Sequence, residues 1–367
     1  MTKVCFVVSS LCNEGPVNVI YNIIRYMDFS SFEVSIITLI PEKKNSRLKD
    51  FKRLPIQIYQ LTKDKFLRPW SMFFQLKRKV EEINPDILHS HCPRSLYLSY
   101  FLPKKYKKVY TIHIYPGLQQ EILYGKWKGK IVNILNHYFT HRMDLAIGCA
   151  ESVSSLYLQN KGWKIHSIPN GCSLPLWKKD CNKKKQIRKL LGLKESIQYF
   201  IFIGRFSYEK NPDFLVKAFQ ALPQQNIGII LLGTGPLWEH LKKYENDRII
   251  LPGFKTNVYE YLIAADFYIS ASDVEGLANT ILESMTVGLP MLLSDIPSHK
   301  EVLDKMSKCV GFIYDHHDIN SLHQSISNII TLNKEEVSDE IRSVFIRYYT
   351  AQRMSKSYQE AYLNIHN

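Results

Sequence analysis

Two glutamates in one short run are the residues of this chain best placed to do chemistry. Glu275 and Glu283 stand in Ser270-Ala-Ser-Asp-Val-Glu275-Gly276-Leu277-Ala278-Asn279-Thr280-Ile-Leu-Glu283-Ser-Met285. The preceding Ala265-Asp-Phe-Tyr-Ile-Ser270 reads as a buried strand, and the run after Gly276 has helical spacing, with Leu277, Ile281, Leu282 and Met285 on one face. Glu275 therefore falls in a strand-to-helix turn and Glu283 one to two turns into the helix. The start of that helix presents backbone N–H groups, a seat for a phosphate.

Two carboxylates flanking an anion seat do not themselves bind the anion. They accept hydrogen bonds from neutral hydroxyls, so the pattern calls for a ligand carrying both phosphate and hydroxyls, as a nucleotide-sugar does. Cations for a diphosphate are available in Gly204-Arg205-Phe206-Ser-Tyr-Glu-Lys210-Asn-Pro212, which leaves a strand end and enters a helix near Pro212. Gly233-Thr-Gly235-Pro236-Leu ends another strand and reads as a tight turn with Pro236 at the first helical position.

Earlier in the chain, Asn13-Glu14-Gly15-Pro16 opens the first helix without a G-x-G-x-x-G fingerprint, so a dinucleotide site has little support. Gly15 still permits close backbone approach to a ligand. His113 ends a strand, where it could hydrogen-bond a sugar hydroxyl or help move a proton. His89 and His91 lie two apart on one strand face; with no third ligand near in sequence they read as structural or acceptor-side rather than as a metal pair.

Positioning these groups takes an α/β chain. Strands are expected at Val4–Val8, Val34–Leu39, Ile56–Tyr59, Ile87–His89, Val109–Ile112 and Leu145–Ile147, with helices at Val17–Met27, Pro69–Ile83, Leu118–Phe139 and Ser152–Asn160 between them. The alternation restarts at Tyr199–Ile203 and runs through Ile227–Leu232, Ile249–Leu251, Phe267–Ser270 and Met291–Ser294. Such βαβα order implies parallel, doubly wound sheets, whose ligands sit beyond the carboxyl ends of the strands. A chain of 367 residues suits two such domains. The Pro169-Asn-Gly171 turn and the polar Lys178–Lys189 stretch are the expected linker, and a central cleft the expected site.

Net charge is +14, and residues 1–175 carry 25 Lys+Arg against 12 Asp+Glu, or +13 of it. Basic and aromatic residues interleave there, in Phe66–Phe74, Phe101–Lys108 and Tyr124–Lys130, a composition suited to an anionic bilayer. Nucleic acid is not expected, since none of its common binding motifs occurs. Seven scattered cysteines, an amino terminus too short and β-like for a signal peptide and the lack of an 18-residue apolar run predict a cytoplasmic protein without a spanning helix.

Taken in order, these segments resemble glycosyltransferase family 4, of the GT-B fold. The resemblance rests on Gly-Arg-x4-Lys at 204–210, Gly-x-Gly-Pro-Leu at 233–237, Ala-Asp-x3-Ser at 265–270 and Glu-Gly-x6-Glu at 275–283. It continues through Met-x-x-Gly-x-Pro at 285–290, Ser-Asp at 294–295 and Glu301-Val302. The family implies a Rossmann-like acceptor and membrane-facing domain over 1–173, a nucleotide-sugar donor domain over 174–350, and a final helix over 351–367 packed back on the first. By position, Arg205 and Lys210 would hold the donor diphosphate and Glu283 the nucleotide ribose. Glu275, with the backbone of Gly276, Leu277, Ala278, Asn279 and Thr280, would contact the donor sugar and its phosphate. His113 would reach the transferred sugar, Gly15 would lie near the phosphates, and the backbone around Gly253 and Phe254 would meet the base. Gly-Pro at 15–16 stands where relatives often have Gly-Gly, and Pro-Asn-Gly-Cys-Ser at 169–173 where they have Pro-Asn-Gly-Val-Asp.

The implied activity is transfer of a sugar, with retention and without metal or other cofactor, from a nucleotide-diphosphate donor to a glycan hydroxyl. A lipid-linked acceptor at the inner face of the cell membrane fits the charge, and with it capsule or O-antigen assembly. A double displacement with Glu275 as nucleophile is the mechanistic alternative. A nucleotide-sugar epimerase and a non-catalytic binding protein are the functional ones.

Overall fold

The computed structural model describes residues 1–62, 68–178 and 180–366, so Phe66 and Leu67 of the first basic and aromatic run lie outside the described residues. Two compact units divide the chain: Met1–Ser173 with Thr350–Asn367, and Leu174–Tyr349.

In the first unit the strands are β1 (Thr2–Val8), β2 (Phe32–Thr38), β3 (Gln57–Gln60), β4 (Ile87–Ser90), β5 (Lys107–Ile112), β6 (Leu145–Gly148) and β7 (His166–Ser167). They pair in the order β3-β2-β1-β4-β5-β6-β7, every pair parallel. Strand β1 shows why the sheet needs cover on both sides. Val4, Phe6 and Val8 face a core built with Val19, Ile20, Ile23 and Ile24 of the helix Gly15–Arg25. Cys5 and Val7 face the opposite core, with Leu76 and Val80 of the helix Pro69–Ile83. Period-two alternation with both faces apolar is the signature of a doubly covered parallel sheet.

The second unit repeats the plan with β8 (Gln198–Ile203), β9 (Ile227–Leu232), β10 (Ile249–Gly253), β11 (Phe267–Ser270), β12 (Met291–Ser294) and β13 (Gly311–Tyr314), ordered β10-β9-β8-β11-β12-β13 and again all parallel. Strand order reverses direction at β1/β4 in one sheet and at β8/β11 in the other. Those switch points leave crevices at the strands' carboxyl ends, where ligands of such sheets bind.

The last helix, Ala351–His366, returns to the first unit. Ser355 Oγ donates to the Ile23 carbonyl at 2.6 Å, and Gln359 bonds Tyr26 and Asp28. The return is possible because Gly171 has no side chain: a Cβ there would sit 2.5 Å from the Thr350 carbonyl oxygen.

Several expectations need correction. The helix expected over Leu118–Phe139 is two, Leu118–Tyr124 and Lys126–Thr140, broken at Gly125, whose φ of +80° suits glycine. The polar Lys178–Lys189 linker contains a helix, Cys181–Leu190, capped by Asp180. Two of its cations are not solvent charges: Lys184 and Arg188 converge on Asp266 at 3.0 and 2.5 Å, on a carboxylate only 12% exposed. Lys108, read as part of a basic surface, is buried, and its ammonium donates to the carbonyls of Tyr100 and Leu102. The short edge strands β7 and β13 were not anticipated.

Candidate active site

Strand β8 ends at Ile203 and the chain turns through Gly204–Phe206 into one 3-10 turn, Tyr208–Lys210. Asn211 follows at φ +50° and the helix Pro212–Ala221 begins. The loop after β9 forms its floor. Phe206 N–H donates to the Thr234 carbonyl at 3.0 Å, and the approach requires glycine: a Cβ on Gly233 would lie 1.9 Å from the Gly204 oxygen, and one on Gly235 2.5 Å from the Phe206 oxygen. The two glycines thus act as the tight turn read from sequence. Pro236, however, precedes the helix rather than opening it; the helix is Trp238–Leu241. On the loop they support, Arg205 is exposed and forms no ion pair among the described residues.

Beside it, β11 ends at Ser270 and delivers Glu275. The Lys210 ammonium pairs with Glu275 Oε1, and Ser272 Oγ donates to the same oxygen at 2.9 Å. Glu275 is almost fully enclosed, its side chain 8% exposed. The turn under it is fastened by hydroxyls. Ser294 Oγ donates to the Ser272 carbonyl at 2.7 Å, and the Tyr314 hydroxyl to the Ser270 carbonyl at 2.8 Å. His299 Nδ1 meets Ser294 Oγ at 3.0 Å, and burial holds that imidazole down at about 4.

The helix after the turn is Asn279–Val287, starting later than Gly276, and Ala278 gives it no side-chain cap. Gly276 and Leu277 are buried, and Thr280 Oγ1 meets the Tyr268 hydroxyl at 2.8 Å. Glu283 is the helix's fifth residue and has no ion pair among the described residues; burial pushes its carboxyl up to about 7. The two carboxylates are therefore different in kind, one tied to a cation and the other held near neutrality by its surroundings. At the end of β10, Gly253 (φ +82°) presents Phe254, which is 52% exposed.

In the first unit, His91 and His113 leave the ends of adjacent β4 and β5. His91 Nδ1 and His113 Nε2 are 3.0 Å apart, so His91 has a histidine neighbour that sequence spacing does not reveal. His89 is committed elsewhere, with one nitrogen on Tyr362 at 2.7 Å and the other on Thr111 at 2.8 Å. Burial lowers all three imidazoles, His113 to about 4, and leaves them neutral near pH 7. Gly15 is the first residue of its helix, with Pro16 next.

Residues 14–174 match the family Glycosyltransferase Family 4, and residues 183–348 match Glycosyl transferases group 1. The chain belongs to the GT-B glycosyltransferases of the family 4 type. The UDP-Gal:alpha-D-GlcNAc-diphosphoundecaprenol alpha-1,3-galactosyltransferase of Escherichia coli is 26% identical over 341 residues, covering 88% of this chain and 80% of that protein. The O-antigen biosynthesis glycosyltransferase WclY of Escherichia coli is 24% identical over 99% of this chain and 98% of its own length. Among solved structures, Anabaena Alr3699/HepE in complex with UDP and glucose shares the fold at a TM-score of 0.81, with 15% identity over 99% of this chain and 100% of that one.

Within this glycosyltransferase, then, Arg205, Lys210, Glu275, Gly276–Thr280 and Glu283 all come from the adjoining ends of β8 and β11 or the segments that follow them. The sequence carried no signal for the Ser272–Ser294–His299 support beneath Glu275. Hydroxyls and a histidine far apart along the chain show no periodicity.

Proposed function

We propose that this glycosyltransferase moves a sugar, with retention of anomeric configuration, from a nucleotide-diphosphate donor to a hydroxyl of a lipid-linked glycan. The gathering of Lys210, Glu275 and Glu283 at the switch point of the second sheet carries the reading. Arg205 and Lys210 take the diphosphate, assisted by the uncapped start of the helix Asn279–Val287. Glu283 accepts from the ribose hydroxyls, Glu275 accepts from the sugar, the backbone of 276–280 contacts the sugar and its phosphate through N–H groups, and Gly253 and Phe254 lie at the base. His113, neutral, is a hydrogen-bonding group available to a sugar hydroxyl, and Gly15 permits close backbone approach to a phosphate.

The bond between the anomeric carbon and the diphosphate oxygen breaks with its electron pair going to the phosphate. The acceptor oxygen attacks from the same face and its proton passes to the departing phosphate. Two cations and a helix terminus stabilise the growing charge without calling on a metal. Glu275 as nucleophile is disfavoured by its surroundings, since Oε1 is already engaged by Lys210 and Ser272.

Support for a lipid-linked acceptor comes from the helix Lys126–Thr140, which is amphipathic in the wrong sense for a soluble surface. Its buried residues are Gly129, Asn136 and Thr140, while Trp127, Ile131, Ile134 and Tyr138 form an exposed stripe. Lys126, Lys128 and Lys130 flank that stripe, also exposed. No helix among the described residues is long and apolar enough to cross a membrane. An interfacial position at the inner membrane face, with a role in O-antigen or capsule assembly, accords with the glycolipid named for the galactosyltransferase relative.

Differential scanning fluorimetry with UDP-, GDP-, ADP- and CMP-sugars, with Arg205→Ala alongside, tests the donor site. A melting shift with one nucleotide class, lost in Arg205→Ala, is expected. A shift that Arg205→Ala retains would overturn the assignment.

A further inference from the structure

We propose that Asp273, His316 and His317 bind one divalent transition-metal ion, of the Zn²⁺ class, at the carboxyl edge of the second sheet. Asp273 lies in the turn after β11, and the two histidines follow β13. Each offers one ligand atom, and all three atoms lie within 4.8 Å of one another. Asp273 Oδ1 is 3.0 Å from His316 Nε2 and 4.0 Å from His317 Nε2. Tetrahedral ligands at about 2.0–2.1 Å from one ion stand roughly 3.3 Å apart, so the first pair is already near that spacing. His317, its side chain 70% exposed, is free to turn its ring inward.

A simple ion pair between Asp273 and His316 is the competing account. Yet Asp273 Oδ1, buried and close to His316 Nε2, has no hydrogen bond among the described residues. Lone pairs that meet at a shared point instead of along an N–H are satisfied by a cation between them. Leaving that oxygen buried and unbonded would otherwise be costly. Two imidazoles with one carboxylate select zinc, cobalt or nickel over magnesium and calcium, which favour all-oxygen shells. Three protein ligands leave a fourth position for water or an anion.

The ion would brace the donor loops without joining the transfer. Asp273 N–H donates to the Glu209 carbonyl at 2.9 Å, and Asn211 Nδ2 to the His316 carbonyl at 3.3 Å. Lys210 stands between those two anchors, and Glu275 is two residues beyond Asp273. Metal would thus tie together the loops after β8, β11 and β13.

The experiment is a visible-absorption titration of the full-length, chelator-stripped protein with Co²⁺, followed by displacement with Zn²⁺. One equivalent should give the bands of four-coordinate cobalt, bleached by zinc. His317→Gln, at an exposed position, and Asp273→Asn should each weaken binding tenfold or more. His240→Gln, an exposed histidine beside Asp213 in the same unit, should leave the titration unchanged. Absence of the bands from the wild-type protein would overturn the proposal, as would a His317→Gln titration superimposable on wild type. No turnover is read, so the result is independent of the proposed transfer activity.

Discussion

Lys210 and Glu275, 65 residues apart in the chain, form an ion pair that bridges the loops after β8 and β11. The carboxylate is 8% exposed and the ammonium 25%, so the pair is sealed on one side and reachable on the other. Removing the cation leaves a buried charge unpaired, which costs about 3–5 kcal/mol for a fully buried pair. Partial exposure of Lys210 puts Lys210→Met near the low end, about 3 kcal/mol. Chemical denaturation should show that loss, and Glu275→Gln added to Lys210→Met should recover most of it. Recovery of stability should not bring recovery of transfer, because the double variant still lacks one of the two cations proposed for the diphosphate. A single variant as stable as wild type would contradict the pairing.

Arg205 makes the opposite prediction. It is exposed and holds no ion pair among the described residues, so the fold does not depend on it. Loss of one preorganised charge contact to a transition state costs about 2.7–4 kcal/mol of barrier. Arg205→Ala should therefore lower kcat roughly 100- to 1000-fold with an unchanged melting temperature. Near-normal turnover at saturating donor would remove Arg205 from the site.

With the ribose role proposed for it, Glu283 should link donor binding to pH. Its carboxyl is raised from 4.5 to about 7 by burial, and the ionised form is the better acceptor for ribose hydroxyls. Donor affinity should climb with pH below about 7, by up to about tenfold per unit, and level off above it. Binding below that point should release a proton, seen as a buffer-dependent heat in calorimetry. The stability sign is the reverse. Between 4.5 and about 7 the folded state holds a proton that the unfolded chain has lost, so stability falls as pH rises through that window and is flat above it. Glu283→Gln should abolish both slopes; a persistent affinity slope would assign it to another group.

Much of this was legible in the sequence, for a physical reason. Strands buried on both faces, such as β8 and β9, read as unbroken apolar runs, and Glu275 and Glu283 announce themselves by spacing around a strand-to-helix turn. What stayed hidden depends on partners distant along the chain. Lys108 and Lys184 look like solvent charges until the carbonyls of Tyr100 and Leu102, and Asp266, are brought to them. His89 and His91 showed no third histidine near in sequence because His113 is a neighbour of His91 only across the β4–β5 pairing. The break at Gly125 was concealed because helical periodicity continues on either side of it.

Gly233 tests whether the floor of the donor loop sets its geometry. Its φ is +148° and an added Cβ would lie 1.9 Å from the Gly204 oxygen, next to Arg205. Gly233→Ala combines backbone strain of roughly 1–3 kcal/mol with displacement of the Gly204–Phe206 segment. A lowered melting temperature together with weaker donor binding is expected. Lost stability with intact donor affinity would show that Arg205 keeps its place without this support.

The exposed stripe on the helix Lys126–Thr140 yields a prediction about location. Trp127 is 83% exposed, Ile131 60% and Ile134 67%, while Gly129, on the opposite side, packs so closely on the helix Leu118–Tyr124 that a Cβ would meet the Glu121 Cα at 2.6 Å. The helix is thus fixed with its apolar side outward. The exposed Phe74 and Phe101 continue the surface, linked by edge-on ring contacts through the half-buried Phe73 and Phe139. Burying one large apolar side chain in a bilayer interface contributes roughly 1.5–3 kcal/mol, and each nearby lysine about 1 kcal/mol on anionic lipid. The full-length protein should co-sediment with vesicles containing phosphatidylglycerol, less so as salt rises. Trp127→Ser with Ile134→Ser should release it at every salt concentration without loss of thermal stability, since neither side chain is part of the core. Lys126→Gln with Lys130→Gln should weaken only the salt-sensitive part. If the wild-type protein fails to sediment with anionic vesicles at low salt, the stripe serves some other partner and the lipid-linked acceptor loses its structural support.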